Sequence, residues 1–222
     1  MGEIQSCILI SDFDGTVTLY DFYDLVCRRF PEILSAGHWQ QYEEGKITHF
    51  EALRRIFAEI RTRENVLLEI IDQMTVDPRL ADSVSRLRER GWEIALASAG
   101  CDWYIRKILK GAGVDILVHA NPGRFSEQEG LVMELPVESP FFSREVGINK
   151  VAVVRDALNK SSRVAFAGDG RPDLAAALMV PPERRFARKW LATKLREIGE
   201  PFHAFEEWSQ IADRLLEEDG HD

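Results

Sequence analysis

The chain has 222 residues, 45% of them hydrophobic and 29% charged, with a formal net charge of −9. That length suits one domain, or one domain carrying a smaller inserted one, and the apolar content can build a sizeable core. The acidic balance argues against a nucleic-acid partner, which would want a basic patch. It leaves an anionic substrate open, because a metal and a few cations reverse the sign locally. Cys7, Cys27 and Cys101 are odd in number and far apart, which points to a reducing compartment rather than a disulfide or metal framework. Glu3 and Gln5 precede the first apolar run, so no signal peptide is read. No apolar run approaches the roughly 20 residues that span a bilayer. The expectation is a cytoplasmic protein without a membrane partner.

Cys7 to Ile10 is a short apolar run without alternation, which reads as a parallel strand buried on both faces. It ends in Ser11-Asp12-Phe13-Asp14-Gly15-Thr16. Ligands of open α/β sheets bind at the carboxyl ends of strands, where these two acids stand. Residues two apart in an extended segment point the same way, so Asp12 and Asp14 converge on one site. Adjacent carboxylates repel, and a bound cation is the favoured means of tolerating them.

Helical patterns follow. Phe22, Leu25, Val26 and Phe30 share a face, and Pro31 ends that helix. Gly37 to Gly45 reads as a polar connection. Thr48 and Glu51 have capping-box spacing ahead of Phe50, Leu53, Phe57 and Ile60, and Val66 to Met74 marks another helix. With no strand over 19–76, this stretch reads as a helical insert.

Asp77-Pro78 reopens the α/β alternation with an N-cap and a proline before Leu80, Val84 and Leu87, closed by Gly91. A strand over Trp92–Ala97 ends in Ser98-Ala99-Gly100, and a helix runs from Asp102 to Lys110. Asp115–Val118 reads as a strand and 121–135 as a hairpin-like excursion. Lys150 begins a helix through Val154 and Leu158. Arg163–Ala167 is a buried strand ending in Gly168-Asp169-Gly170, and Pro172-Asp173 opens an alanine-rich helix. Phe186-Ala187 is a last short strand, and Trp190–Ile198 and Phe205–Leu216 are helical.

Each polar group at a strand or helix end has a plain structural alternative. Asp12 and Asp14 suit loop capping, Ser98 a helix N-cap, Lys150 a solvated surface and Asp169 and Asp173 a turn and a helix start. In this order on an α/β pattern, that account needs several coincidences. The run Asp12-Phe13-Asp14-Gly15-Thr16, then Ser98, then Lys150, then Gly168-Asp169-Gly170-Arg171-Pro172-Asp173, resembles the phosphatases of the haloacid dehalogenase (HAD) superfamily across nearly the whole chain. The resemblance implies a Rossmann-like parallel-sheet core, residues 1–18 and 77–222, with an inserted helical cap of the C1 type, residues 19–76, after the first strand.

It also implies roles. Asp12 would be the nucleophile that forms an aspartyl-phosphate, and Asp14 the general acid and base. Mg²⁺ would be held by Asp12, the Asp14 backbone carbonyl and Asp169, with Asp173 supporting through water. Ser98 and Lys150 would clamp the phosphoryl oxygens, with backbone amides near Phe13 and Ala99 as further donors. Asp21, and Ser98-Ala99-Gly100 followed by Asp102, resemble the phosphoserine-phosphatase branch. Gly15, Thr18 and the run from Gly168 to Ala177 look closest to its methionine-salvage phosphatases, which act on 2-hydroxy-3-keto-5-methylthiopentenyl 1-phosphate. Phosphoserine phosphatases usually have Ser, Glu and Asn where Gly15, Asp21 and Pro172 stand, and Ala99 departs from the Ser-Gly-Gly of both families.

The partner expected is therefore a small phosphomonoester. Phosphoserine or another phosphorylated amine, a phosphotransfer acceptor, and a non-catalytic binding role are the alternatives. Asp21, Tyr23 and Trp39 are the candidates for substrate specificity, with Tyr42 beside Trp39 at the entrance and His119 a further contact. Phe22 reads as insert core, His49 as solvated in a first helical turn, and Cys101 as unreactive.

Overall fold

Cys7–Ser11 (β1) lies at the centre of a six-stranded parallel sheet, and all five of its residues are buried. The computed structural model describes residues 7–218; Glu3 and Gln5 lie outside them. The side chains of β1 alternate between two cores. Cys7 and Leu9 join one apolar cluster, Ile8 and Ile10 the other, so both faces of the sheet are covered.

After β1 come only helices: α1 (Phe22–Arg29), a 3₁₀ segment (Pro31–Ala36), α2 (His38–Glu43), α3 (His49–Ala58) and α4 (Glu64–Gln73). Asp21 caps α1 by accepting the Tyr23 amide at 2.7 Å. Thr48 caps α3 through the Glu51 amide at 3.1 Å, but only half of the capping box forms. The Glu51 carboxylate turns instead to Arg54 and Arg55, at 2.8 and 2.7 Å. The polar connection read over Gly37–Gly45 holds α2, a helix too short for its periodicity to show. At the base of the insert, Thr18 bridges to Val76, and the Leu19 amide meets the Thr75 carbonyl at 2.8 Å.

The chain then continues through α5 (Leu80–Glu89), β2 (Trp92–Cys101), α6 (Asp102–Gly111) and β3 (Leu117–Asn121). β2 runs on through Ser98-Ala99-Gly100 with an irregularity against β3, and β3 starts two residues later than the sequence suggested. The excursion at 121–135 is the antiparallel hairpin β4 (Gly123–Ser126) and β5 (Gly130–Met133). Its turn glycine, Gly130, has φ +75°, and a Cβ there would lie 2.6 Å from the Ala58 carbonyl, so the hairpin docks on α3 only because the site is glycine. A second, two-residue hairpin, β6 (Phe142–Ser143) and β7 (Gly147–Ile148), leaves no periodic trace in the sequence.

The remaining elements are α7 (Lys150–Lys160), β8 (Arg163–Gly168), α8 (Leu174–Ala177), β9 (Arg185–Ala187), α9 (Lys189–Glu197), β10 (His203–Ala204) and α10 (Ser209–Glu218). The sheet order is β10-β9-β8-β1-β2-β3. α5, α6, α10 and the helical insert cover the Leu9 face, whereas α7, α8 and α9 cover the Ile8 face. α10 begins later than the predicted Phe205 because Asp77 accepts the Ser209 amide at 2.7 Å and starts the helix there. Asp77 also accepts the Arg79 amide at 2.8 Å, and α5 itself starts at Leu80. The neighbours of β1 are β2 and β8, so the residues after all three strands meet at one edge of the sheet. No helix among the described residues is long and apolar enough to cross a membrane.

Candidate active site

The carboxyl ends of β1, β2 and β8 and the start of α7 open into one cavity of 520 Å³, whose other wall is the helical insert. Asp12, Asp14, Ser98, Ala99, Lys150, Asp169 and Asp173 all line it, as do Asp21, Tyr23 and Trp39. These residues, named from the sequence for catalysis, phosphate, metal and specificity, therefore reach the same space.

Lys150 is the electrostatic centre. Its Nζ donates to Asp12 Oδ1 at 2.6 Å and to Asp173 Oδ1 at 2.5 Å, and all three side chains are buried. A lysine in the first turn of a helix opposes the helix dipole, and burial also disfavours its charge. The two carboxylates outweigh both and hold the ammonium more firmly charged than a free lysine. Asp173 is itself fixed, because its Oδ2 accepts the amides of Asp169 at 3.0 Å and Gly170 at 2.8 Å.

Burial pushes the Asp12 carboxyl well above the usual carboxylate range, and the charges of Asp173 and Asp169 add to this against the pull of Lys150. Asp169 is likewise pushed up by burial, although Lys189 Nζ lies 3.1 Å from its Oδ2. Ligand oxygens of Asp12, Asp169 and Asp173 all lie within 4.8 Å of one another. Three carboxylates this close, two of them buried and the third, Asp169, partly so, are a donor set short of positive charge, and hard oxygens of this kind fit a magnesium ion. Gly15 makes room for the cluster: its φ is +75°, and a Cβ there would overlap Asp169 Oδ2 at 2.1 Å.

Asp14 has a different setting. Its Oδ1 accepts the Phe22 amide at 3.3 Å; its Oδ2 accepts the Tyr104 hydroxyl at 2.7 Å and the Ser98 hydroxyl at 3.3 Å. Burial pushes it up to about 6, with the Tyr104 and Phe22 bonds pulling the other way. A carboxyl poised there can give and take a proton near neutrality.

Family comparison agrees with this geometry: residues 9–178 match the model of the haloacid dehalogenase-like hydrolases. The chain belongs to that family. Among curated HAD relatives, the 2-hydroxy-3-keto-5-methylthiopentenyl-1-phosphate phosphatase of Brevibacillus brevis is 25% identical over 96% of either chain. The enzyme of that name from Bacillus velezensis is 25% identical over 92% of this chain and 87% of its own. A substrate-bound phosphoserine phosphatase structure superposes with a TM-score of 0.62 at 16% identity, covering 96% of this chain and 98% of that one. That likeness establishes the HAD fold.

Several further residues in or beside the cavity leave no mark of that position in the sequence. Tyr104 lies on α6 at apolar spacing and was indistinguishable from core; its ring stacks on the buried Phe22 at 4.3 Å. Asn121, at the end of β3, donates to the Ala99 carbonyl at 2.7 Å and so supports the Ser98 loop. Glu145, Val146 and Arg171 also line the cavity. His49 corrects an expectation: it is buried rather than solvated, because Trp39, Tyr42 and the Glu145 turn cover the start of α3. His119 is a second correction, since its ring packs on Phe141 at 4.8 Å and it lines a groove on the Ile8 side of the sheet instead of the cavity. Cys101 is buried, and burial pushes its thiol up to about 12, as expected of an unreactive cysteine.

Asp21 lines the cavity while capping α1, and burial pushes its carboxyl up to about 8, with the Asp14 charge adding to the effect. Tyr23, Trp39 and Tyr42 form a chain of rings, with centroids 4.8 and 5.2 Å apart.

Proposed function

We propose that the chain is a Mg²⁺-dependent phosphomonoesterase working through an aspartyl-phosphate on a small cytosolic metabolite, 2-hydroxy-3-keto-5-methylthiopentenyl-1-phosphate. Residues 1–18 and 77–222 form its catalytic core, and residues 19–76 a cap over the cavity. The observation that carries the chemistry is the convergence of Asp12, Asp14, Ser98, Lys150, Asp169 and Asp173 on one cavity from separate elements.

In the first step an Asp12 oxygen bonds to phosphorus, the bond from phosphorus to the ester oxygen breaks, and Asp14 gives that oxygen its proton. In the second, Asp14 takes a proton from water as the water oxygen attacks phosphorus, and the Asp12–phosphorus bond breaks to free phosphate. Lys150, Ser98 and the amides near Phe13 and Ala99 hold the phosphoryl oxygens as charge spreads over them. Asp12, Asp169 and the Asp14 carbonyl would hold magnesium, with Asp173 behind them. When bound, the ion supplies the positive charge that lets the phosphate approach Asp12.

The wall away from the phosphate end favours the methionine-salvage ester. Lys150 and Arg171 are the cationic side chains among the described lining residues, and Arg171 is stacked 5.5 Å over Trp190. The carboxylate of phosphoserine finds little to meet there. A thioether, by contrast, gains from sulfur–aromatic contact with Tyr23, Trp39 and Tyr42. The curated relatives of that name, matched over nearly their whole length, support the same choice.

The test is phosphate release from a panel of esters, with Mg²⁺ or with chelator, by the wild type and Asp12→Asn. The panel holds the enzymatically generated salvage ester, phosphoserine, phosphoethanolamine and sugar phosphates, with acceptor alcohols added in parallel. Metal-dependent release that D12N abolishes, with the highest kcat/KM for the salvage ester, supports the reading. A preference for phosphoserine, or transfer to the alcohols, replaces it.

A further inference from the structure

His49 is the first residue of α3, and its position is set from two sides. Its amide meets Glu145 Oε1 at 3.2 Å, and the next amide, Phe50, meets the Glu145 carbonyl at 2.8 Å. Its ring stands edge-to-face against Tyr42 at 5.3 Å and Trp39 at 5.7 Å, and the residue is 9% exposed. The imidazole is therefore held at a fixed place on the cavity wall.

Nδ1 is buried without a hydrogen-bond partner. Buried polar atoms are nearly always paired, so an orphan on a residue of the cavity wall points to a partner that arrives with the ligand. Burial and the nearby Lys150 charge hold the ring neutral down to about pH 4. A neutral imidazole donates from one nitrogen and accepts at the other, which suits hydroxyl and carbonyl oxygens rather than a second anion. His49 also links the two ends of the cavity: it feels the charge of Lys150 and touches the Trp39–Tyr42 rings. In the proposed ester, the oxygens on the second and third carbons lie between the phosphate and the sulfur.

We infer that His49 determines specificity by hydrogen-bonding the oxygens on the carbons beside the phosphate ester, selecting phosphate esters oxygenated there over their saturated, unoxygenated counterparts. The inference rests on the phosphatase reading above. It deepens that reading from a cap with aromatic walls to one with a single polar selector.

The experiment compares kcat/KM for the salvage ester and for 5-methylthiopentyl phosphate, which keeps the phosphate and thioether but lacks both oxygens and the double bond, so the effect is read as the change that each His49 variant makes in the ratio. Wild type, His49→Phe and His49→Asn are assayed with Mg²⁺. H49F keeps an aromatic ring against Trp39 and Tyr42 and should lose about tenfold to hundredfold on the oxygenated ester, as loss of a buried hydrogen-bonding partner does. Its rate on the saturated ester should change by less than about threefold, which also reports an intact fold and phosphate site. H49N returns a donor and an acceptor near the Nδ1 position and should recover part of the lost discrimination.

Equal losses on both esters, no loss on either, or H49N no better than H49F would overturn the inference and leave the phosphatase reading standing. A wild type that does not prefer the oxygenated ester would overturn the substrate reading and the inference with it.

Discussion

The Tyr104 hydroxyl lies 2.7 Å from Asp14 Oδ2, and Tyr104 is held in turn by the face of Phe22, whose own amide donates to Asp14 Oδ1. Asp14 is thus gripped by a pair of stacked aromatic residues, one from the insert and one from α6. A proton donor contributes only when it points at the leaving oxygen. Tyr104→Phe keeps the stack and removes the hydroxyl, so kcat should fall about tenfold with KM little changed. Steady-state kinetics on the best ester check this; a raised KM with unaltered kcat would make Tyr104 part of the substrate wall instead.

Lys150 has two separable effects. Its ammonium neutralises Asp12 and Asp173 in the folded protein, and it is proposed to hold phosphate in the reaction. Lys150→Met leaves two buried carboxylates facing each other, and breaking a buried ion pair from one side typically costs about 3–5 kcal/mol. In chelator, urea unfolding of K150M should show a loss of that order. Mg²⁺ should restore part of it, because the same carboxylates then gain a cation, while activity stays at least about a hundredfold down. If Mg²⁺ left the unfolding midpoint of K150M unchanged, Asp12, Asp169 and Asp173 would not be the metal site.

The sheet and the acids were legible because each leaves a short-range mark. Cys7–Ile10 is an unbroken apolar run that stops at two carboxylates, and Gly168-Asp169-Gly170 closes a second such run. The contacts between elements left no such mark. Tyr104 sits among Ile105 and Ile108 at helical spacing, so nothing local distinguishes a core tyrosine from one whose hydroxyl reaches Asp14. His49 occupies a helix position that is usually wet, and it is dry here because Trp39, Tyr42 and the turn between β6 and β7 cover it. His119 shows the opposite error: it neighbours Asn121 in sequence, but β3 turns its ring toward Phe141 on the other side of the sheet. Register decides which face a strand residue takes, and a strand that starts two residues late keeps its pattern while moving its ends.

Gly15 offers a test of how tightly the acid cluster is packed. Alanine there would place Cβ 2.1 Å from Asp169 Oδ2 and 2.6 Å from Lys189 Nζ, at a φ that side chains rarely adopt. The backbone alone should cost about 1 kcal/mol or more, and displacement of Asp169 should weaken metal binding and lower kcat at least about tenfold. Mg²⁺ titration of activity in Gly15→Ala should show a raised half-saturating concentration. An unchanged one would mean that Asp169 yields without consequence and is not a ligand.

The buried imidazole of His49 also makes a prediction about pH that needs no substrate. Its folded-state pKa of about 4 lies below the ordinary 6.5, since burial and the charge of Lys150 both oppose protonation. Above pH 6.5 the ring is neutral folded and unfolded, and its contribution to stability is fully present. As pH falls from 6.5 toward 4, the unfolded chain takes the proton and the folded one does not, so stability drains away by on the order of 3 kcal/mol. Carboxylates titrate in the same range, so the informative quantity is the difference between wild type and His49→Phe, in which the other groups cancel. That difference should be flat above about pH 7 and should shift steadily in favour of H49F below 6, read from urea midpoints in chelator. A flat difference down to pH 4 would mean that the imidazole takes up its proton in place, with a partner or with water reaching Nδ1.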